Sequence, residues 1–451
     1  MRRLFGTDGI RGIANEYLSC ERAVQIGRAL GTVLSSNRKY RPRVLIGMDT
    51  RISSEMLASA ITAGLCSVGG DVLALGVVPT PAVAYLVKKY KAKAGIMISA
   101  SHNPYQYNGI KIFGEDGFKL SDELEEQIES IVLDNTPPAR LAAAEEIGKR
   151  VDASYALHDY ISYLTHTTSE SLDGLRIAID CANGSSSVSA RELFESCGAE
   201  CYMLYDKPDG ININNGCGST DMSALKKFVT ENSLDAGVAF DGDADRCLAV
   251  DERGDEVDGD FIMAMLALKL KDEGKLAKNA VVGTVMTNFG FTKFCEENGI
   301  KYVAAKVGDR YVLEMMNQEG YSFGGEQSGH IILREHATTG DGQLKALALL
   351  SHLKKSGKKL SELCRVMKKY PQFTVNVSAN QNEKIAFFTD EEIKEIIADA
   401  EARIGSDGRL VARPSGTEPL IRIMVEGKDE KATKLIAEET AEKIEQKLKQ
   451  Y

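Results

Sequence analysis

The segment AFDGDADRCLAVD (239–251) sets Asp241, Asp243 and Asp245 at every second position, separated by Gly242 and Ala244. Carboxylates this close repel one another unless a cation neutralises them. Hard oxygen donors suit Mg²⁺ or Ca²⁺, and not zinc. The spacing overlaps that of an EF-hand loop, with Glu252 at the twelfth position. An EF-hand needs glycine at its sixth position, where this chain has Arg246, and the flanks GVAF and CLAVD read as strands rather than helices. A solvated acidic turn is the plain alternative. Three carboxylates leave coordination positions open, as a catalytic ion requires.

Four further segments have chemistry to offer. GIMISASHNP (95–104) begins as a buried strand and ends by presenting Ser101 beside His102 on a polar, proline-stopped loop. Such loops carry function when a rigid scaffold positions them, although Ser, Asn and Pro also make ordinary turns. RPSGTEPLIRI (413–423) offers Ser415, Gly416 and Thr417 in a turn whose amides can converge on a phosphate, with Arg413 and Arg422 able to add charge-assisted bonds. FGGEQSGHII (323–332) places Glu326, Gln327, Ser328 and His330 on a glycine-flanked loop, a set suited to sugar hydroxyls, with a simple turn as the alternative; a histidine there is more often structural than catalytic. FGTDGIRG (5–12) projects Arg11 from a tight, glycine-rich backbone. No GxxxxGK[ST], HExxH or GxSxG is present, so P-loop, zincin and serine-hydrolase chemistry have no motif to rest on. A loop serine, a carboxylate metal loop, a phosphate nest and a sugar-type loop together point to phosphoryl transfer on a sugar.

These loops need elements to hold them. The 451 residues exceed what one core accommodates, so two to four domains are expected. Composition is that of a globular protein, with 43% hydrophobic and 27% charged residues. The net charge of -10 provides no global basic field for nucleic acid, and an anionic substrate needs local Arg and Lys. Nine cysteines without a CxxC pair argue against a disulfide scaffold or a zinc ribbon. No run reaches membrane-spanning length and the first residues lack a signal-type apolar segment, so a soluble, cytoplasmic protein without membrane or nucleic-acid partners is expected.

Short apolar strands alternate with amphipathic helices, as in RVLIGMD, SSEMLASAITAGLCSVG and DVLALGVV (43–78). This βαβα plan predicts a mostly parallel sheet, and it recurs from Leu175 and again from Ala280. The proline-containing run 134–152, the glycine-rich 251–260 and the stretch 367–380 are the natural divisions. They predict α/β domains over 1–152, 153–254 and 255–368. The block 369–451 reads strand, helix, two strands, helix, and is expected to be α+β.

SASHNP, DGDADR, GGEQSGH and RPSGTEP, in this order along the whole chain, resemble the α-D-phosphohexomutase superfamily. FGTDGIRG, the alanine within DGDADR, CGSTD (217–221) and VGDRYV (307–312) are similar to the branch acting on glucosamine phosphates; the phosphomannomutase/phosphoglucomutase branch is the alternative. The resemblance implies three α/β domains of one topology and a fourth, smaller α+β domain resembling the TATA-binding protein, around a central cleft. It implies that Ser101 is a phosphoserine, with Mg²⁺ held between Ser101 and Asp241, Asp243 and Asp245. Glu326 and Ser328 would bind sugar hydroxyls, Asp309 and Arg310 would face the substrate, and Arg413, Ser415, Gly416, Thr417 and Arg422 would hold the idle phosphate. Lys111 matches a lysine position of the family and is an acid/base candidate, with His102 and His330 as rivals; Arg11 would lower the basicity of a sugar hydroxyl. The implied reaction interconverts glucosamine 6-phosphate and glucosamine 1-phosphate through glucosamine 1,6-bisphosphate, on the route to UDP-N-acetylglucosamine and cell-wall precursors. A small sugar phosphate is then the partner, and a homodimer is compatible with the resemblance.

Overall fold

Val44, Leu45 and Ile46 follow one another without a polar residue because the strand Arg43–Met48 is covered on both faces. In the computed structural model, which describes residues 4–35, 41–415 and 418–451, this strand is an inner strand of a six-stranded sheet. Across that sheet the order is Ile10–Ile13, Tyr107–Gly114, Ala94–Ile98, Arg43–Met48, Asp71–Val77 and Arg150–Asp152. The last four run parallel, while Tyr107–Gly114 returns antiparallel to both of its neighbours.

The plan repeats twice. The second sheet holds Glu256–Val257, Cys247–Asp251, Ala236–Phe240, Arg176–Asp180 and Glu200–Leu204. It continues past residue 254, because Glu256–Val257 pairs with Ala249 and Val250. The third holds Lys301–Ala305, Ala280–Thr284, Phe323–Gly325 and Ile331–Leu333. Each has parallel strands with one antiparallel return, at Cys247–Asp251 and at Ile331–Leu333. The final sheet is antiparallel throughout, in the order Gln372–Ser378, Leu420–Gly427, Gly408–Pro414, with the helices Glu391–Ile404 and Glu430–Leu448 packed on it. An additional helix, Gln381–Thr389, lies where only a connection was expected.

The parallel strands expected of these α/β domains are present, and the antiparallel returns, which were not expected, stand at the positions that matter. Four of the five chemistry-bearing segments join antiparallel strands: 99–106, 241–246, 326–330 and the stretch between Pro414 and Leu420. Their flanking strands are buried on both faces in the first three domains, so no alternation of apolar and polar residues betrays the pairing.

Helix ends obey local chemistry. Ser19, Asp258 and Asp341 cap Cys20–Leu34, Gly259–Asp272 and Gly342–Ser356 by accepting from free backbone amides. One apolar cluster is continuous through the first three domains, from Val83 and Leu86 through Ile177 and Phe240 to Phe291 and Leu347. The fourth domain has its own core around Val377, Ile393, Ile421, Ile423 and Ile444. Its hairpin docks on the third domain through Glu426, a fully buried carboxylate. Glu426 accepts from Asn288 Nδ2 at 2.9 Å, Phe289 N at 3.2 Å and Arg409 Nε at 2.6 Å. All nine cysteines are free, and among the described residues no helix is long and apolar enough to cross a membrane.

Candidate active site

Ser101 and Ala244 stand at the apices of two hairpin turns from different domains, and both have left-handed backbone, with φ of 54° and 57°. Neither is glycine, so each conformation costs of order 1–2 kcal/mol and persists only because its surroundings enforce it. Gly242 lets the two turns meet. A Cβ there would lie 2.6 Å from the Ser101 carbonyl oxygen, so only glycine fits the approach.

The contact joins the serine to the acidic turn. Ser101 Oγ donates to Asp241 Oδ2 at 2.6 Å, and both side chains are buried. The Arg246 amide donates to Asp241 Oδ1 at 3.1 Å. Asp241, Asp243 and Asp245 each bring a carboxylate oxygen within 4.8 Å of the others. Lys111 Nζ donates to Asp243 Oδ2 at 2.8 Å and Asp245 Oδ2 at 3.2 Å, and Thr80 Oγ1 donates to Asp243 Oδ2 at 2.6 Å. Asp243 Oδ1 and Asp245 Oδ1 remain buried with no hydrogen-bond partner. Unpaired buried carboxylate oxygens are costly, and a hard cation is the ligand that satisfies them. The residues therefore fit a metal of the Mg²⁺ type.

Electrostatics sorts the ionisable groups. Burial, then Asp245 and Asp243, push Asp241 well above the ordinary carboxylate range. Burial acts the same way on Asp245, but Lys111 and His330 outweigh it and hold that carboxyl well below. Burial opposes charge on Lys111, yet Asp243, Asp8 and Asp245 win and raise it. Asp8 lies 3.1 Å from Lys111 Nζ, pairs with Arg11 and accepts from Lys119 Nζ at 2.6 Å. Although burial pushes Asp8 up, these three cations hold it far below the usual range.

The two histidines stand beside this cluster and are held by partners of their own. Burial, Arg246 and Arg11 push His102 down to about 4, so its ring is neutral near pH 7. Arg246 Nη1 sits 3.2 Å from His102 Nδ1, which therefore accepts from it, and Ser101 Oγ is more distant at 3.4 Å. His330 Nε2 accepts from the Gly340 amide at 3.0 Å, which leaves the neutral ring's proton on Nδ1, 3.6 Å from Asp245. A Cβ on Gly340 would lie 2.5 Å from that ring. Arg11 Nε and Arg246 Nε are buried without partners beside this cluster.

Beside His330 opens a cleft of about 600 Å³ between the first and third domains, lined by Lys119, Asp309, Arg310 and Arg334 among others. Asp309 accepts from Lys119 Nζ at 2.5 Å. Arg310 crosses to the first domain, pairing with Asp122 and with Glu125 at 3.3 Å, and also bonds Glu314. In this conformation its guanidinium serves a contact between domains. Glu326 Oε1 accepts from the Gly308 amide at 3.1 Å, which ties the sugar-type loop to VGDRYV, and Ser328 is exposed.

In the fourth domain Arg413 and Arg422 are directly opposite in the hairpin register. Like charges across a ladder repel, and a bound anion relieves them. Arg422 pairs with Glu418, while Arg413 has no partner among the described residues. Ser415 Oγ accepts from the Glu418 amide at 3.1 Å, and Lys384 Nζ holds the Ser415 and Glu418 carbonyls at 2.6 Å each. Gly416 and Thr417 lie outside the described residues. No described contact joins this hairpin to Ser101.

The structure thus brings together Ser101, Lys111, Asp241, Asp243, Asp245, Arg11 and both histidines. Reading the motifs missed Asp8, Lys119 and Arg246. Asp8 and Arg246 were legible in principle, since each stands inside a motif that drew attention for another residue. Lys119 had no such signal; its role depends on Asp8 and Asp309, 111 and 190 residues away.

Four family models match in order: phosphoglucomutase/phosphomannomutase α/β/α domain I over residues 2–138, domain II over 158–254, domain III over 258–370 and the C-terminal domain over 374–443. A protein of Acetivibrio thermocellus named phosphoglucosamine mutase is 51% identical over 448 residues, covering 99% of this chain and 100% of that one. One of Clostridium tetani with the same name is 50% identical over 449 residues, covering 100% of both. A crystal structure of a phosphoglucomutase/phosphomannomutase family protein from Burkholderia thailandensis superposes with a TM-score of 0.84 at 21% identity, covering 100% of this chain and 98% of that one, a likeness of fold. The chain belongs to the phosphoglucomutase/phosphomannomutase family, with all four of its domains in the family's order.

Proposed function

We propose that this protein interconverts glucosamine 6-phosphate and glucosamine 1-phosphate, with Ser101 as the phosphoryl carrier. The observation that carries the chemistry is the strained, buried Ser101 hydroxyl donating to Asp241 beside two unpartnered carboxylate oxygens. The choice of sugar is supported by the relatives named phosphoglucosamine mutase.

Phosphorylated Ser101 transfers its phosphoryl group to O1 of the 6-phosphate. The Oγ–P bond breaks, the O1–P bond forms, and the O1 proton passes to a site base. Glucosamine 1,6-bisphosphate turns within the cleft. Ser101 Oγ then takes the 6-phosphoryl group, O6 regains a proton, and the 1-phosphate leaves. Asp241, Asp243 and Asp245 would hold Mg²⁺, which when bound neutralises charge on the transferring phosphoryl group. Lys111, held charged among Asp8, Asp243 and Asp245, would balance charge at the acidic turn, and it is the candidate to relay a proton once substrate changes its surroundings. Arg11 and Arg246 have free Nε–H donors for phosphoryl oxygens. Arg413, Ser415, Gly416, Thr417 and Arg422 would grip the idle phosphate. Glu326, Ser328 and Asp309 would face the sugar in either orientation, with Asp309 the nearest match for an amino group. Arg310 would reach substrate only by leaving Asp122 and Glu125.

The test is kcat/KM for the 6-phosphates of glucosamine, mannose and glucose under one Mg²⁺ concentration, each with its bisphosphate. Glucosamine 6-phosphate is expected to be preferred. A higher value for mannose 6-phosphate would move the protein to the phosphomannomutase branch.

A further inference from the structure

The turn that carries Ser101 has two backbone bonds within it, Asn103 N to Ala100 O and Tyr107 N to Pro104 O at 3.1 Å each, yet it holds a serine at positive φ. The carbonyls of Ser101, Asn103, Pro104 and Tyr107 all point to one side chain. Arg51, fully buried, donates from Nη2 to Ser101 O and Asn103 O at 2.9 Å each. From Nη1 it donates to Pro104 O at 2.5 Å and Tyr107 O at 3.0 Å. Its Nε donates to Asp49 Oδ2 at 2.7 Å, which completes the use of all five guanidinium hydrogens. Asp49 in turn accepts from Ser99 Oγ at 2.6 Å, and Ser99 Oγ accepts from the Ser101 amide at 2.9 Å. The same arginine system therefore grips the turn from its carbonyl side and its amide side.

A second domain shares the grip. Asn214 Nδ2 donates to Ser101 O at 2.9 Å and Asn103 O at 3.1 Å, two of the carbonyls that Arg51 holds. The segment bearing Arg51 is itself docked there, through Thr50 Oγ1 on Asn183 O at 2.6 Å and Ile52 N on Gly210 O at 2.9 Å.

We propose that Arg51 and Asn214 are positioning residues that set the Ser101 hydroxyl for phosphoryl transfer, so that correct docking of the second domain on the first is a condition of serine reactivity. The inference rests on the reading of Ser101 as phosphoryl carrier. Neither residue touches the acidic turn's carboxylates, and neither is placed to touch substrate. Only a planar fork of five donors reaches four carbonyls and a carboxylate at once, so lysine is not an equivalent.

The experiment uses the full-length enzyme with Ser101→Ala, Arg51→Lys, Arg51→Ala and Asn214→Ala. It follows kcat, KM, melting temperature, and the rate at which Ser101 gains a phosphoryl group from a hexose 1,6-bisphosphate, read by intact mass. Arg51→Lys is expected to lower kcat and the phosphorylation rate by about 100-fold, the scale of a small misplacement of a reacting group. Asn214→Ala is expected to lower both by about tenfold, and KM should change by less than about threefold in either. Guanidinium ion, but not ammonium, should restore part of the kcat of Arg51→Ala. Arg51→Ala removes a partner of buried Asp49, so if it fails to fold, Arg51→Lys and Asn214→Ala carry the test. A dead Ser101→Ala with wild-type phosphorylation rates in Arg51→Lys and Asn214→Ala overturns the clamp alone. Wild-type turnover by Ser101→Ala overturns the carrier reading, and the clamp with it.

Discussion

Ser101 contributes one hydroxyl to a site crowded with acidic and basic side chains. Its removal takes away the proposed phosphoryl carrier and one bond to Asp241, while the turn remains held from its backbone. Ser101→Ala is expected to abolish mutase turnover and to change stability by no more than about 1 kcal/mol, as checked by coupled assay and thermal unfolding. Asp243 and Asp245 differ from Asp241 in keeping an unpartnered oxygen. Asp243→Asn retains an oxygen ligand but loses a charge, so the Mg²⁺ concentration for half-maximal activity should rise by about tenfold or more. Excess metal should recover part of the rate. Chelator should silence the wild-type enzyme; undiminished activity there would show that the acidic turn does not bind a needed ion.

At the scale of elements, the working part is the antiparallel hairpin turn appended to a parallel sheet. The first three domains each present such a turn, and two of them meet at Ser101 and Gly242. The tolerances are those of backbone contact. Gly242→Ala would set a methyl group 2.6 Å from the Ser101 carbonyl oxygen, so the two turns must separate. We expect kcat to fall by at least about 100-fold while circular dichroism stays that of the wild type, since the apolar cores lie elsewhere. Gly329 is bound by a similar approach: its φ is 88°, and a Cβ would lie 2.3 Å from Cys247 O. That contact joins the sugar-type turn to the strand leaving the acidic turn.

At the scale of the whole molecule, three domains share a continuous apolar cluster and the fourth is attached through a polar one. The proposed bisphosphate intermediate would have to turn around without escaping, which calls for a part that can move, and polar interfaces between domains are the kind that do. Glu426 is the centre of that attachment. Glu426→Ala would leave Arg409 and Asn288 without their buried partner, at a cost of about 3 kcal/mol across the interface. The expected results are a lower unfolding midpoint, a larger radius of gyration in solution scattering and a raised KM. Glu426→Gln, which keeps the shape and one acceptor, should lie between the two.

The sequence by itself determined what depends on neighbours in the chain. The aspartates at 241, 243 and 245 cluster because a tight turn leaves them nowhere else to go, and the loops at Ser101 and Glu326 and the polar segment from Arg413 were legible from their polar breaks beside apolar runs. The α/β plan was likewise written in the spacing of strands and helices. Tertiary structure alone decided the rest. Lys111 meets Asp243 across 132 residues, Ser101 meets Asp241 across 140, and Arg51 meets the serine turn across about 50. Such meetings depend on strand register and on the docking of one domain against another, which local residue types do not encode. The antiparallel returns escaped notice for a related reason. A strand covered on both faces reads as an unbroken apolar run whichever way its neighbour points, so direction becomes visible only once the sheet is assembled.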